Sequence, residues 1–91
     1  MMPTICRFDG IVIRMYFAEH GEPHFHAFKA EHSAKYFWRR DEWIGALPKA
    51  DEHKVKSWAG NRQEELEEVW NALCSGRSTI PKVAPPGIMA S

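Results

Sequence analysis

The stretch Glu22-Pro23-His24-Phe25-His26-Ala27-Phe28 places the tightest limit on how this chain folds. Pro23 pushes Glu22 away from helical backbone angles, so the segment is entered extended. Two histidines then stand two residues apart in an otherwise apolar run. On a strand, that spacing projects both imidazoles from one face of a sheet. Three of the five histidines fall between His20 and His26, the densest group of metal-ligand and proton-carrying side chains in the sequence.

Neighbours for this strand are legible on both sides. Upstream, Ile11-Val12-Ile13-Arg14-Met15-Tyr16-Phe17 is β-branched and aromatic and follows the turn signal Asp9-Gly10, which predicts a strand. Alternation puts Ile11, Ile13, Met15 and Phe17 on one face and Val12, Arg14 and Tyr16 on the other. Before the turn, the segment from Pro3 to Phe8 carries Ile5 and Phe8 without a strand assignment. Glu19-His20-Gly21-Glu22-Pro23 reads as a loop. The second strand runs from about His24 to Ala30, Glu31-His32-Ser33 turns, and a third strand covers Ala34 to Trp38 or Arg39. So short a polar link makes the pair a hairpin. Arg39-Arg40-Asp41 turns again, and Glu42 to Leu47 is a weaker fourth strand or an irregular edge.

The period then changes. Pro48 opens a helical half at a position where its missing N–H costs nothing. Apolar residues recur at Val55, Trp58, Ala59, Leu66, Val69, Trp70 and Leu73, the spacing of one helical face, with both tryptophans expected in the core. Two arrangements fit: one long helix bent at Gly60, or two helices with Asn61 as N-cap and Glu64 completing a box-like start. Glycine costs ~1 kcal/mol relative to alanine inside a helix, which favours a break. Glu64, Glu65, Glu67 and Glu68 form a solvated acidic face near a positive helix end. Gly76 stops the helix. The stretch from Ser78 to Ser91 holds Pro81, Pro85, Pro86 and Gly87 with little to bury, and predicts an extended, flexible tail.

The fold class is therefore α+β: a three- to four-stranded antiparallel sheet, then a bent long helix or helix pair packed on one face. Residues 2–76 form a single domain and 77–91 a proline-rich tail. Ninety-one residues suit one domain, and four tryptophans with five phenylalanines close a core without covalent staples. Twelve Lys/Arg balance twelve Asp/Glu, which argues against strong sequence-independent binding to phosphate backbones and leaves room for a local basic patch. Cys6 and Cys74 make no close-spaced redox or zinc pair and are expected as reduced thiols. No apolar run approaches the ~20 residues of a membrane helix, and the N-terminus lacks a secretion signal, so a cytoplasmic protein is expected.

These pieces resemble a known family. Met2-Pro3-Thr4-Ile5, Glu22-Pro23-His24-Phe25-His26, Ala34-Lys35-Tyr36-Phe37-Trp38 and Arg62-Gln63-Glu64-Glu65-Leu66-Glu67-Glu68-Val69-Trp70 match the pattern of the small prokaryotic domain-of-unknown-function family numbered 4160. The resemblance covers roughly residues 2 to 75. It implies a stand-alone cytoplasmic protein of no established activity. It also implies frequent encoding beside a second small uncharacterised family, numbered 2442, in an arrangement suggestive of toxin–antitoxin pairs. The family's proline, histidine, apolar, histidine element falls on Pro23, His24 and His26. Glu22 departs from it where many relatives carry a second proline, a change expected to alter loop stiffness more than chemistry.

Three constellations carry candidate chemistry. His20, His24 and His26 suit an open divalent-metal site, although no Cys or Asp joins them in sequence. His24 and His26 are candidate catalytic residues of a small RNase-like enzyme, with Arg14 or Lys35 stabilising a phosphate. The third constellation is a sheet face holding Arg14, Tyr16, His24, His26, Phe28, Lys35, Phe37 and Arg39. Such a mixture of rings and cations binds single-stranded nucleic acid or a protein. The leading reading is an interaction module with no cofactor, one component of a toxin–antitoxin-like pair, acting through a homodimer or a small partner protein encoded nearby, and through nucleic acid. A histidine-dependent enzyme or metal-binding protein is the alternative. Burial of the face in a symmetric dimer ranks first among its uses.

Overall fold

The structure, a computed structural model, describes residues 4–16, 21–76 and 81–86. Five strands come first: β1 (Thr4–Phe8), β2 (Ile11–Arg14), β3 (Phe25–Lys29), β4 (His32–Phe37) and β5 (Glu42–Ala46). Two helices follow, α1 (Lys49–Gly60) and α2 (Gln63–Cys74). The strands form one antiparallel sheet in sequential order, β1-β2-β3-β4-β5. The α+β expectation holds, with five strands where three or four are expected.

The additional strand is β1. Its pairing with β2 shifts between Thr4 and Cys6, so Ile5 is an extra residue on the strand. Such a bulge breaks the two-residue alternation by which a strand is recognised, and Ile5 and Cys6 are buried in succession. The β1–β2 turn needs Asp9 and Gly10 at φ 52° and 77°, the pair of positive values that matches strand twist in a two-residue hairpin. The second hairpin turns at Ala30-Glu31 rather than Glu31-His32-Ser33, because Lys29 pairs with His32.

The pairing settles which side chains share a face. Ile13 lies opposite Ala27 and Arg14 opposite His26. His26 lies opposite Lys35, and Lys35 opposite Ile44. Ile11, Ile13, Met15, Phe25, Ala27, Ala34 and Tyr36 meet Val55, Trp58, Leu66, Val69, Trp70 and Leu73 in the core. Phe25 is its centre, with rings of Tyr36, Trp38 and Trp58 within 6 Å between centroids. The helical phase read from sequence is the buried one. Phe17 lies outside the described residues.

The helical half is two helices. Asn61 caps the C-terminus of α1, where its side-chain amide donates to the Ser57 carbonyl, instead of serving as the N-cap of α2. Arg62 holds the N-cap position with no side-chain capping bond. Pro48 precedes α1 as its N-cap, and Glu52 reaches back to accept the Leu47 N–H at 3.2 Å. Lys29 ties the helix to the sheet through Asp51 at 3.0 Å and the Asp9 carbonyl at 3.0 Å.

Within the proline-rich tail, residues 81–86 adopt neither helix nor strand and lie along the outer edge of β1. Val83 is nevertheless buried at 3% exposure.

Candidate functional site

The second face of the sheet is the candidate site. Both helices lie against the first face, and no described helix or strand covers the second. Val12, Arg14, His26, Phe28 and Lys35 are half-buried there, and Ile44 is 52% exposed. Register brings Arg14, His26, Lys35 and Ile44 into one row across four strands. Tyr16 stacks on the His26 ring at 4.1 Å and 6°. Phe28, two residues further along β3, lies nearly parallel to His26 at 6.4 Å and 11°. The Arg14 guanidinium sits 5.6 Å above Phe28 and donates from Nε to the Thr4 hydroxyl. Cations are held at fixed heights among rings. Arg7, opposite Val12, adds an exposed cation from β1, a residue missed in the sequence because β1 itself was missed.

One end of this face is closed over. His24 is 4% exposed, with the Phe37 ring at 4.8 Å and the Trp70 ring at 5.4 Å. Its Nδ1–H donates to the Glu22 carbonyl at 2.9 Å. Phe37 is buried in turn beneath the Arg40 guanidinium, 4.6 Å from its ring. Arg40 pairs with Glu22 at 2.8 Å and also with Glu42. The Glu22 position thus supplies an ion pair that fastens the loop to the β4–β5 turn, a chemical contribution beyond the change in loop stiffness expected of it.

Arg39 goes elsewhere. Its Nε and Nη2 grip both carboxylate oxygens of Glu67 on α2, at 2.7 and 2.6 Å, and the Trp38 indole N–H donates to the same carboxylate at 2.9 Å. The Arg39 hydrogen bonds, supported by Trp38, hold the Glu67 carboxyl below the usual carboxylate range. A similar relay ties Tyr36, whose hydroxyl donates to Asp41 at 2.7 Å, to Lys56 on α1 at 2.9 Å from Asp41. The hydrogen bonds from Lys56 and Tyr36 lower the Asp41 pKa, and burial first, then Asp41, pushes the Tyr36 phenol up.

Of the expected binding face, Arg14, Tyr16, His26, Phe28 and Lys35 therefore come together. His24 and Phe37 form its closed end, and Arg39 belongs to the helix side. His20, the third expected metal ligand, lies outside the described residues. Among the described residues, no group of three His, Cys, Asp or Glu side chains converges as a metal site requires. None of their helices is long and apolar enough to cross a membrane.

Charge differs between α2 and the uncovered sheet face. The twelve residues of α2 include four glutamates and no basic residue. The sheet face opposite carries Arg7, Arg14 and Lys35, and Glu42, at its corner, is engaged by Arg40. A net charge of zero for the chain conceals this separation.

Fold and site together define a class: a small α+β domain with one sheet face under a helix pair and the other carrying rings and cations. The family model described as Domain of unknown function (DUF4160) matches residues 10–71, and the chain belongs to that family. No curated protein and no solved structure is found to match it.

Proposed function

We propose that this chain is a small interaction module, one component of a toxin–antitoxin-like pair, and that the second sheet face is its contact surface for a small partner protein. The observation that carries this reading is the Arg14–His26–Lys35–Ile44 row, flanked by Tyr16 and Phe28. Arginine and aromatic rings in a half-dry setting are what protein contacts concentrate. A partner with a complementary acidic rim fits it best. The same row supports single-stranded nucleic acid as a second reading, since parallel rings accept bases and Arg7, Arg14 and Lys35 accept phosphates. In the histidine-enzyme alternative the two imidazoles do not act as equals. His24 is walled in by Phe37 and Trp70, and His26 alone of the two reaches the face.

The test is co-purification with the product of the adjacent gene, with bound nucleic acid measured in the same preparation. Lys35→Glu and Phe28→Glu should each lower partner recovery at least tenfold while the thermal midpoint stays within a few degrees. Recovery unchanged in both variants would remove this face from the interaction. His26→Ala should weaken association without loss of fold, whereas His24→Ala should lower stability.

A further inference from the structure

The segment formed by residues 81–86 lies in a groove between β1 and the corner where α1 meets α2. Val83 donates its backbone N–H to the Ile5 carbonyl at 2.9 Å, at the bulge of β1. The Ala84 carbonyl accepts from the Trp58 indole N–H at 2.8 Å and from Arg62 Nε at 2.7 Å. The next carbonyl, of Pro85, accepts from Arg62 Nη2 at 3.0 Å. A proline-bearing segment has few N–H groups and leaves its carbonyls pointing outward as acceptors. Aromatic-lined grooves recognise proline-rich segments, and here the Trp58 indole N–H and the Arg62 guanidinium supply the donors. A cleft of about 380 Å³ lined by Asp9, Lys54, Ser57, Trp58 and Arg62 borders Pro86. Trp58 and Arg62 fall within the family match at residues 10–71, and the segment they hold falls outside it.

We propose that this groove is a recognition site for an extended peptide carrying a β-branched apolar residue two positions before a proline, and that Val83-Ala84-Pro85 occupies it as an exchangeable resident ligand. Val83 fills the buried position, Trp58 and Arg62 read the two following carbonyls, and the bulged Ile5 supplies the edge acceptor. Because the resident segment is tethered, its effective concentration is of millimolar order, and a peptide in trans must compete with it. The site is separate from the sheet face of the proposed function and stands or falls without it.

The test uses the full chain. Val83→Asp places a charge in the buried position and should release the segment, which moves the Trp58 indole N–H resonance. Titration with the synthetic hexapeptide Pro-Lys-Val-Ala-Pro-Pro should return that resonance toward its original position. The unaltered chain should need at least tenfold more peptide, and Arg62→Ala added to Val83→Asp should weaken binding about tenfold, the scale of a lost charge-assisted bond. A folded Val83→Asp chain that ignores millimolar peptide would overturn the proposal. Binding indifferent to Arg62→Ala would overturn it too. Loss of fold in Val83→Asp would show the segment to be core rather than ligand, and would overturn it equally.

Discussion

One face of the sheet presents Ile11, Ile13, Phe25, Ala27, Ala34 and Tyr36, all at 5% exposure or less; the other presents Val12, Arg14, His26, Phe28, Lys35 and Ile44, all at least partly exposed. The same strands build both. On the first face, stabilisation comes from apolar area removed from water, about 25 cal/mol per Å². On the second, long cationic stems and stacked rings cover each other, contributions of about 0.5–1.5 kcal/mol for a ring pair. The first face therefore holds the fold, and the second can be rewritten with little loss of stability. A surface with that freedom is the one available for binding.

The sharpest way to break this contrast is truncation on each side. Phe25→Ala should cost about 3–5 kcal/mol in denaturant unfolding, much of the 5–15 kcal/mol that a domain of this kind has. Lys35→Ala on the other face should stay within about 0.5 kcal/mol. Similar losses at the two positions would show that something covers both faces in solution.

Next in size is Gly45, where the edge strand meets the sheet. Its φ is 92°, and a Cβ there would lie 2.8 Å from the Ser33 carbonyl oxygen and 3.1 Å from Ala34 Cα. Gly45→Ala should cost about 1–3 kcal/mol, the scale of one strained backbone position. Because Gly45 and Ile44 lie on one strand, hydrogen exchange should show the loss concentrated in β4 and β5.

The smallest effect is electrostatic. Glu67 is bonded to Arg39 and Trp38, and its pKa is lowered in the folded chain. A lowered carboxyl contributes stability above its unfolded value, about 4.3, and that contribution disappears as pH falls through the folded value. Glu67→Gln should therefore lower the thermal midpoint slightly near neutrality and flatten the acid side of its plot against pH, the two curves converging at low pH where the carboxylate is protonated. An unchanged acid limb would mean that the carboxylate does not fasten α2 to the sheet.

Much of this is legible in the sequence. Ile11 to Arg14 and Phe25 to Lys29 are apolar enough, and bounded sharply enough by Asp9-Gly10 and Pro23, for their strands and their parity to be read directly. Parity within each strand groups Arg14 with Tyr16 and His26 with Phe28, and the register then brings both pairs beside Lys35 on one face. β1 escaped because the bulge at Ile5 buries two residues in a row, and with it went Arg7. Arg39 turns to α2 rather than to the expected face because it lies beyond the end of β4, where alternation no longer governs direction.

The opening stretch, Glu22 to Phe28, marks the limit of what a one-dimensional pattern determines. Its backbone state and the shared face of its histidines follow from proline sterics and the two-residue period of a strand, both local. The fates of those histidines were decided only by the tertiary structure. Trp70, forty-six positions after His24, comes round the end of the sheet to cover one imidazole and leaves the other against Tyr16. The grip of Arg39 on Glu67, twenty-eight residues apart, and the hold of Trp58 on Ala84, twenty-six apart, are of the same kind. Local sterics act between neighbours in the chain, whereas burial and charge pairing act between neighbours in space, and only folding brings those together.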